Sequence, residues 1–341
     1  MSENLLLGGF YGFDNVGDEA VLAAIVAAIR QEDSSIPLAA LSSNPQKTAQ
    51  DYGMQAVNRW HNKEVKAAMQ NARLFVLGGG SLLQDVTGFK SLLFYLHWLH
   101  LAKKCNTPFF VYAQGIGPIV HGWGQKLTAR MLKRAAGITL RDQTSYQMLK
   151  DWGVDPQKMQ VTLDPVLAWQ PTEENNIVLP SGRKCAVALR AWPGFTAQKA
   201  AQVADGIAKM GFAVVMVPFH GESDLAFAKV VAALMQAPYF MWDEFFTAPQ
   251  DVALLREMDF VWGMRLHSLV MAAAAAIPFA ALSYDPKVTF FAQNFTHVSC
   301  CDCTEGAETI LAGIQESWQK KEQMREEFSQ KKKVWQQQAQ E

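Results

Sequence analysis

LLLGGFYGFDNVGDEAVLAAIVAAIR, residues 5–30, is the stretch on which the fold class turns. Leu5–Phe10 is a short apolar run without polar alternation, the pattern of a strand buried on both faces of a parallel sheet. Glycines and a polar turn follow, and from Ala20 to Arg30 apolar residues return at helical spacing. Strand, glycine turn and helix in that order form the opening of a βαβ unit. Further apolar runs near Pro37–Leu41, Leu74–Leu77, Phe109–Ala113, Ile138–Leu140 and Val161–Leu163 alternate with amphipathic segments. Residues 1–170 therefore read as one doubly wound α/β domain of six strands.

From Gln170 to Lys184 the chain turns polar and carries Pro and Gly, so residues 171–184 are expected to be a linker with one short extended piece. A second series of runs, near Cys185–Leu189, Phe212–Val217, Phe260–Trp262 and Phe279–Leu282, gives a smaller domain over 185–305. The last segment, 306–341, is helical, and from Trp318 onward it is charged and Gln-rich, with apolar residues too sparse for a core helix. Leu311, Ile314 and Trp318 share one helical face, placed to pack back across the hinge. The expected fold is α/β, two Rossmann-like domains facing a central cleft, with a C-terminal helical tail.

Half of the 341 residues are hydrophobic and 18% are charged, which excludes an intrinsically disordered chain. Lys plus Arg number 31 against 32 Asp plus Glu, so no global field draws the chain to nucleic acid, and any anion site must be local. The start, Met1–Phe10, has no basic n-region or signal-like core, and the apolar stretches Leu92–Leu101 and Leu269–Leu282 are interrupted by His97, His100 and Pro278. A cytoplasmic location without a transmembrane segment is expected. Five cysteines form an odd, scattered set suited to reduced thiols. The cluster Cys300-Cys301-Asp302-Cys303 lacks the spaced pairs of a zinc site and reads as a loop of small residues, so no metal and no cofactor is expected.

Ligands of open α/β sheets bind beyond the carboxyl ends of the strands, so the residues just after each apolar run are the informative ones. After the first run, Asn15, Asp18 and Glu19 lie at a helix start. The two acids either complement the positive end of the helix dipole or accept sugar hydroxyls and take up a proton. The spacing there is not G-x-G-x-x-G, so a dinucleotide site is poorly supported. Gly79 and Gly80 sit in the turn after the third run and let a ligand or a neighbouring strand approach the backbone. Gln114 opens the turn after the fourth. Arg141 ends the fifth and is suited to bidentate contact with a carboxylate or phosphate, unless Asp142 or another acid holds it. In the second domain Gly263-Met264-Arg265-Leu266-His267-Ser268 leads into an apolar helix, and Lys287 follows one strand later. Arg265 and His267 at a helix N-terminus make an anion pocket with a titratable group inside it. Phe10, Tyr11, Trp192 and Trp262 are available to stack on sugar faces, although burial in the core suits them better.

These residues bring out a resemblance. The motifs GGFYGFDNVGDEAVL (8–22), LGGGSLLQD (77–85), YAQGIGP (112–118), Arg141-Asp142, Asp164-Pro165, VPFH (217–220) and GMRLHSLVMAAAAAIPFAALSYDPK (263–287) stand in an order that resembles the polysaccharide pyruvyl transferase family, in its CsaB-type bacterial cell-surface branch. The resemblance implies a glycosyltransferase-like pair of domains of the GT-B kind. It also implies transfer of pyruvate from phosphoenolpyruvate to two hydroxyls of one sugar, commonly O4 and O6, as a ketal. It gives Arg141, Arg265 and Lys287 to the donor's carboxylate and phosphate, with Leu266 lining that site and His267 as acid/base. Asn15, Asp18, Glu19, Gly79, Gly80 and Gln114 remain for the acceptor side or for acid/base work. The acceptor it implies is an N-acetylmannosamine unit on a lipid-linked precursor, which would bring the enzyme transiently to the inner membrane face. Two other readings fit the architecture: a glycosyltransferase using a nucleotide sugar, and a non-catalytic carbohydrate-binding protein.

Overall fold

The computed structural model describes residues 4–86, 88–172, 178–243 and 247–339. Residues 173–177 of the expected linker lie outside the described residues. The chain divides into two compact units, one holding the residues through Phe13 together with Asp18–Pro165, the other Asp14–Gly17 and Val166–Gln337.

The first unit is a seven-stranded sheet of β1 (Asn4–Tyr11), β2 (Leu38–Ser42), β3 (Gln55–Asn58), β4 (Ala72–Gly78), β5 (Phe109–Gln114), β6 (Gly137–Leu140) and β7 (Met159–Val161). Its order is β3-β2-β1-β4-β5-β6-β7, and every pairing is parallel. The strand order reverses between β1 and β4, the place where doubly wound sheets open a crevice for ligands. Leu6, Phe75, Leu77 and Val111 lie with Trp98 and Leu99 of the helix Phe89–Lys104 in one buried cluster, as strands covered on both faces must.

The second unit is a six-stranded parallel sheet of β8 (Lys184–Ala188), β9 (Ala213–Met216), β10 (Tyr239–Met241), β11 (Phe260–Gly263), β12 (Phe279–Ser283) and β13 (Cys300–Asp302). Its order, β10-β9-β8-β11-β12-β13, repeats the first sheet's logic, with the reversal between β8 and β11. Both units are Rossmann-like. Among the described residues no helix is long and apolar enough to cross a membrane.

Three strands escape the apolar-run reading. β3 and β10 are short sheet-edge strands, and Gln55-Ala56-Val57-Asn58 is half polar because one side of an edge strand meets water. The third is β13: Cys300-Cys301-Asp302 is not a loop but the edge strand beside β12. The tail also needs correction. It forms the helices Ala307–Gln319 and Lys321–Gln338, and the second buries Met324 and Phe328 completely. Two apolar residues four apart give a narrow stripe, sufficient because Phe328 stacks on Phe279 of β12 at 5.4 Å and meets Phe295 edge-on at 5.0 Å. Trp318 meets Phe212 and Phe260 edge to face, so the face with Leu311 and Ile314 packs onto the second unit's own core.

Candidate functional site

In the second unit, basic and hydrogen-bonding side chains gather at the carboxyl ends of four neighbouring strands. Arg190 follows β8, His220 follows β9, Arg265 and His267 follow β11, and Tyr284 and Lys287 follow β12. Arg265 is the N-cap of the helix Leu266–Ala274, and no side chain caps that end. Its guanidinium is held by Asp224, Nε donating to Oδ2 at 2.8 Å and Nη2 to Oδ1 at 2.5 Å. Asp224 is buried and stands in the first turn of the helix Gly221–Leu234. The clamp fixes the plane of Arg265 before any substrate arrives, which a flexible lysine could not match.

Nη2 of Arg265 also lies 3.4 Å from His220 Nδ1. A guanidinium only donates, so that nitrogen serves as acceptor and the ring is neutral. Burial, then the Arg265 charge, hold the His220 pKa below the usual histidine value. Asp224 opposes them, and the Arg190 charge adds a smaller push in the same direction. Arg190 donates from Nη1 to the Tyr284 hydroxyl at 3.2 Å, and its guanidinium carbon sits 4.9 Å from the Tyr284 ring and 5.0 Å from that of Trp192. Lys287 Nζ lies 5.8 Å from the same Tyr284 ring and 3.5 Å from Asp285. Tyr284 thus links Arg190 to Lys287, and His220 is the neighbour of Arg265.

The segment Asp14–Gly17 belongs to this unit. Val16 N donates to Phe219 O at 2.9 Å, Gly221 N donates to Asp14 O at 2.9 Å, and Asn15 forms a bridge with His220. Asn15 Oδ1 accepts from Gly17 N at 3.2 Å. A Cβ on Gly17 would lie 2.2 Å from Nδ1 of His267. Glycine is required there by that contact, since the imidazole rests against the bare backbone.

In the first unit, Arg141 donates from Nη2 to Ser81 Oγ at 2.7 Å and from Nη1 to Asp164 at 3.4 Å. The acid on Arg141 is therefore Asp164; Asp142 instead caps the helix Gln143–Asp151 by accepting from Ser145 N at 2.6 Å. Gln114 is fully buried and clamps the glycine turn, its amide donating to Gly79 O and accepting from Leu82 N. A Cβ on Gly80 would lie 3.3 Å from Asp18 Oδ1, which sets Asp18 against this turn. Glu19 accepts from Gly12 N at 2.7 Å and from the Tyr52 hydroxyl at 3.1 Å. Burial pushes its carboxyl up to about 7 against those two hydrogen bonds.

The expected residues thus form two groups. Asn15, Arg265, Leu266, His267 and Lys287 lie in the second unit, and Asp18, Glu19, Gly79, Gly80, Gln114 and Arg141 in the first. Tyr11 and Trp262 are fully buried core residues, so neither stacks on a ligand, whereas Trp192 is exposed. Sequence reasoning passed over Arg190, Asp224 and the part His220 plays. Arg190 is the residue immediately after an apolar run, the same signal that singled out Arg141.

A family model, described as polysaccharide pyruvyl transferase, matches residues 15–286. No curated protein is matched by the sequence. Among solved structures, a UDP-N-acetylglucosamine 2-epimerase described as putative, from Listeria monocytogenes, aligns with a TM-score of 0.66 at 10% identity, over 94% of this chain and 89% of that one. The Anabaena protein HepE, solved in complex with UDP and glucose, aligns with a TM-score of 0.59 at 12% identity over 98% of each chain. The epimerase of Neisseria meningitidis, bound to UDP-GlcNAc, aligns with a TM-score of 0.62 at 9% identity, over 95% of this chain and 94% of that one. At these identities the likeness is one of fold.

Proposed function

We propose, from the premise that this chain belongs to the polysaccharide pyruvyl transferase family, that it transfers pyruvate from phosphoenolpyruvate to a sugar of a cell-surface polysaccharide precursor and releases phosphate. The observation that carries this reading is that Arg265 and His267 at the helix start after β11 and Lys287 at the helix start after β12 follow the carboxyl ends of two paired strands. Phosphoenolpyruvate has a carboxylate and a phosphate, and guanidinium and ammonium groups neutralise both without a metal. Arg265 and Lys287 hold these anions, with Leu266 lining the site. In the first unit, Arg141, held on Ser81 and Asp164, is the candidate for contact with a carboxylate or phosphate.

The chemistry then needs one proton delivered to carbon and two taken from hydroxyls. His267 donates its proton to the methylene carbon, forming the methyl group and an oxocarbenium centre at C2. A sugar hydroxyl adds there and loses its proton. The C2–O bond to phosphate breaks, and the second hydroxyl adds to close the ketal, its proton also leaving. One of the two protons restores His267, and the other is taken by Asp18 and passed on to phosphate or solvent. A positioned general acid of this type supplies roughly 10²–10⁴-fold in rate. Asp18, beside the Gly79-Gly80 turn, is the base for the acceptor hydroxyl. Glu19 has both carboxylate oxygens bonded and holds the turn at Gly12. The 4,6-linkage and a lipid-linked N-acetylmannosamine acceptor complete the reading, with the enzyme visiting the inner membrane face.

The test is phosphate release from phosphoenolpyruvate in the presence and absence of lipid-linked or synthetic disaccharide acceptors, followed by mass analysis of the sugar. Acceptor-dependent phosphate and a pyruvylated product are expected. Binding of a uridine diphosphate sugar with no response to phosphoenolpyruvate would assign the fold to a nucleotide-sugar enzyme instead. Binding of sugar with no turnover would assign a carbohydrate-binding role.

A further inference from the structure

We infer that Arg190 is a donor-binding residue, its guanidinium taking a carboxylate or phosphate oxygen of the anionic donor. The inference rests on the pyruvyl-transfer reading and extends it to a side chain that no motif marks. Three cations, Arg190, Arg265 and Lys287, share this end of the second sheet. Arg265 has Asp224 as its carboxylate, and Lys287 has Asp285 at 3.5 Å. Among the described residues no carboxylate pairs with Arg190. Its Nη1 bonds to a neutral hydroxyl, and its Nε is buried without a partner. A buried N–H left unmade and a charge left uncompensated are both costly, and one anion oxygen relieves both.

Its place in the fold points the same way. Arg190 stands directly after β8, at the reversal between β8 and β11 where doubly wound sheets bind their ligands. The Tyr284 and Trp192 rings on either contact fix the guanidinium by cation–π attraction, so little rotamer entropy is lost when the anion docks. Through Tyr284 it neighbours Lys287, and β8, which it follows, pairs directly with β11, which leads into Arg265.

The experiment is calorimetric titration of phosphoenolpyruvate into the full-length wild type, R190Q, R190K and Y284F, with steady-state kinetics and thermal unfolding on each. R190Q should weaken donor binding roughly 10- to 100-fold and raise the donor KM by the same factor, with kcat much less affected. R190K, which keeps a charge but not the planar stack, should lose about tenfold. Y284F, which frees one edge of the guanidinium, should lose a few fold. A folded R190Q that binds phosphoenolpyruvate within twofold of wild type overturns the inference, as does a loss of thermal stability with donor affinity unchanged. Should R190Q fail to fold, wild-type affinity in R190K overturns it equally. A wild type that binds a uridine diphosphate sugar but not phosphoenolpyruvate brings down the pyruvyl-transfer reading, a result visible before any variant is compared.

Discussion

Replacing Gly17 by alanine drives a methyl group into the imidazole of His267. The new Cβ would stand 2.2 Å from Nδ1, 2.5 Å from Cγ and 2.8 Å from the Cβ of that histidine. Ordinary contacts lie near 3.4–3.5 Å, so the ring must retreat by roughly 1.2 Å. Overpacking of this kind costs about 1–3 kcal/mol, and Gly17, second residue of the helix Val16–Glu32, regains only part of the roughly 0.8–1 kcal/mol that alanine gains over glycine in a helix interior. The net loss of stability is therefore small, on the order of 1 kcal/mol. The effect on turnover is not small. A misplacement of about 1 Å in a group that must meet a reacting carbon lowers the rate by roughly 10²-fold. The assay is phosphate release with saturating phosphoenolpyruvate and acceptor, beside urea unfolding of the same samples, with H267N as the measure of full loss. A G17A enzyme with near-normal stability and kcat down about two decades is expected. Wild-type kcat in G17A, with H267N inactive, would refute the claim that the Gly17 contact positions the proton donor.

Other expectations follow from the same contacts. Glu19 is protonated more readily in the folded chain than in the unfolded one, so it contributes a destabilisation that is absent below about pH 4.5 and grows until about pH 7. The native state binds more protons than the unfolded state in that window, hence stability falls as pH rises through it, by on the order of 3 kcal/mol. E19Q should flatten this part of the profile in urea unfolding at pH 5, 6.5 and 8, and an unchanged slope would count against it. Asp224→Ala leaves the Arg265 guanidinium without its buried partner and should cost roughly 3–5 kcal/mol, read by the same method. Phe328→Ala removes a fully buried ring that stacks on Phe279 and meets Phe295 edge-on, with a loss of about 3–5 kcal/mol in the second unit. If the tail helix were a dispensable surface feature, that variant would unfold like wild type.

Much of the sheet structure was legible because buried parallel strands are apolar on both faces and announce themselves as unbroken runs. β1, β4, β5, β11 and β12 all carry that mark. The edge strands β3, β10 and β13 do not: β3 and β13 carry polar residues because one side of an edge strand meets water, and β10, Tyr239-Phe240-Met241, is apolar but only three residues long. The core role of Phe328 was hidden for a related reason. A helix of low mean hydropathy can still anchor through two residues when a cluster of phenylalanines waits for them, and that cluster comes from Phe279 and Phe295, distant in sequence.

The sequence by itself determined the class of fold, and it marked the strand-end turns and the arginine, histidine and lysine that the proposed site uses. Those are local properties: a strand's burial, a glycine before a helix and an arginine after a strand are all written within a few positions. Only the tertiary structure decided the pairings, that Asp224 clamps Arg265, that Asp164 rather than Asp142 meets Arg141, and that Gly17 must be bare to admit His267. These partners lie 23 to 250 residues apart along the chain, and nothing short of the folded backbone brings their atoms within a few ångströms.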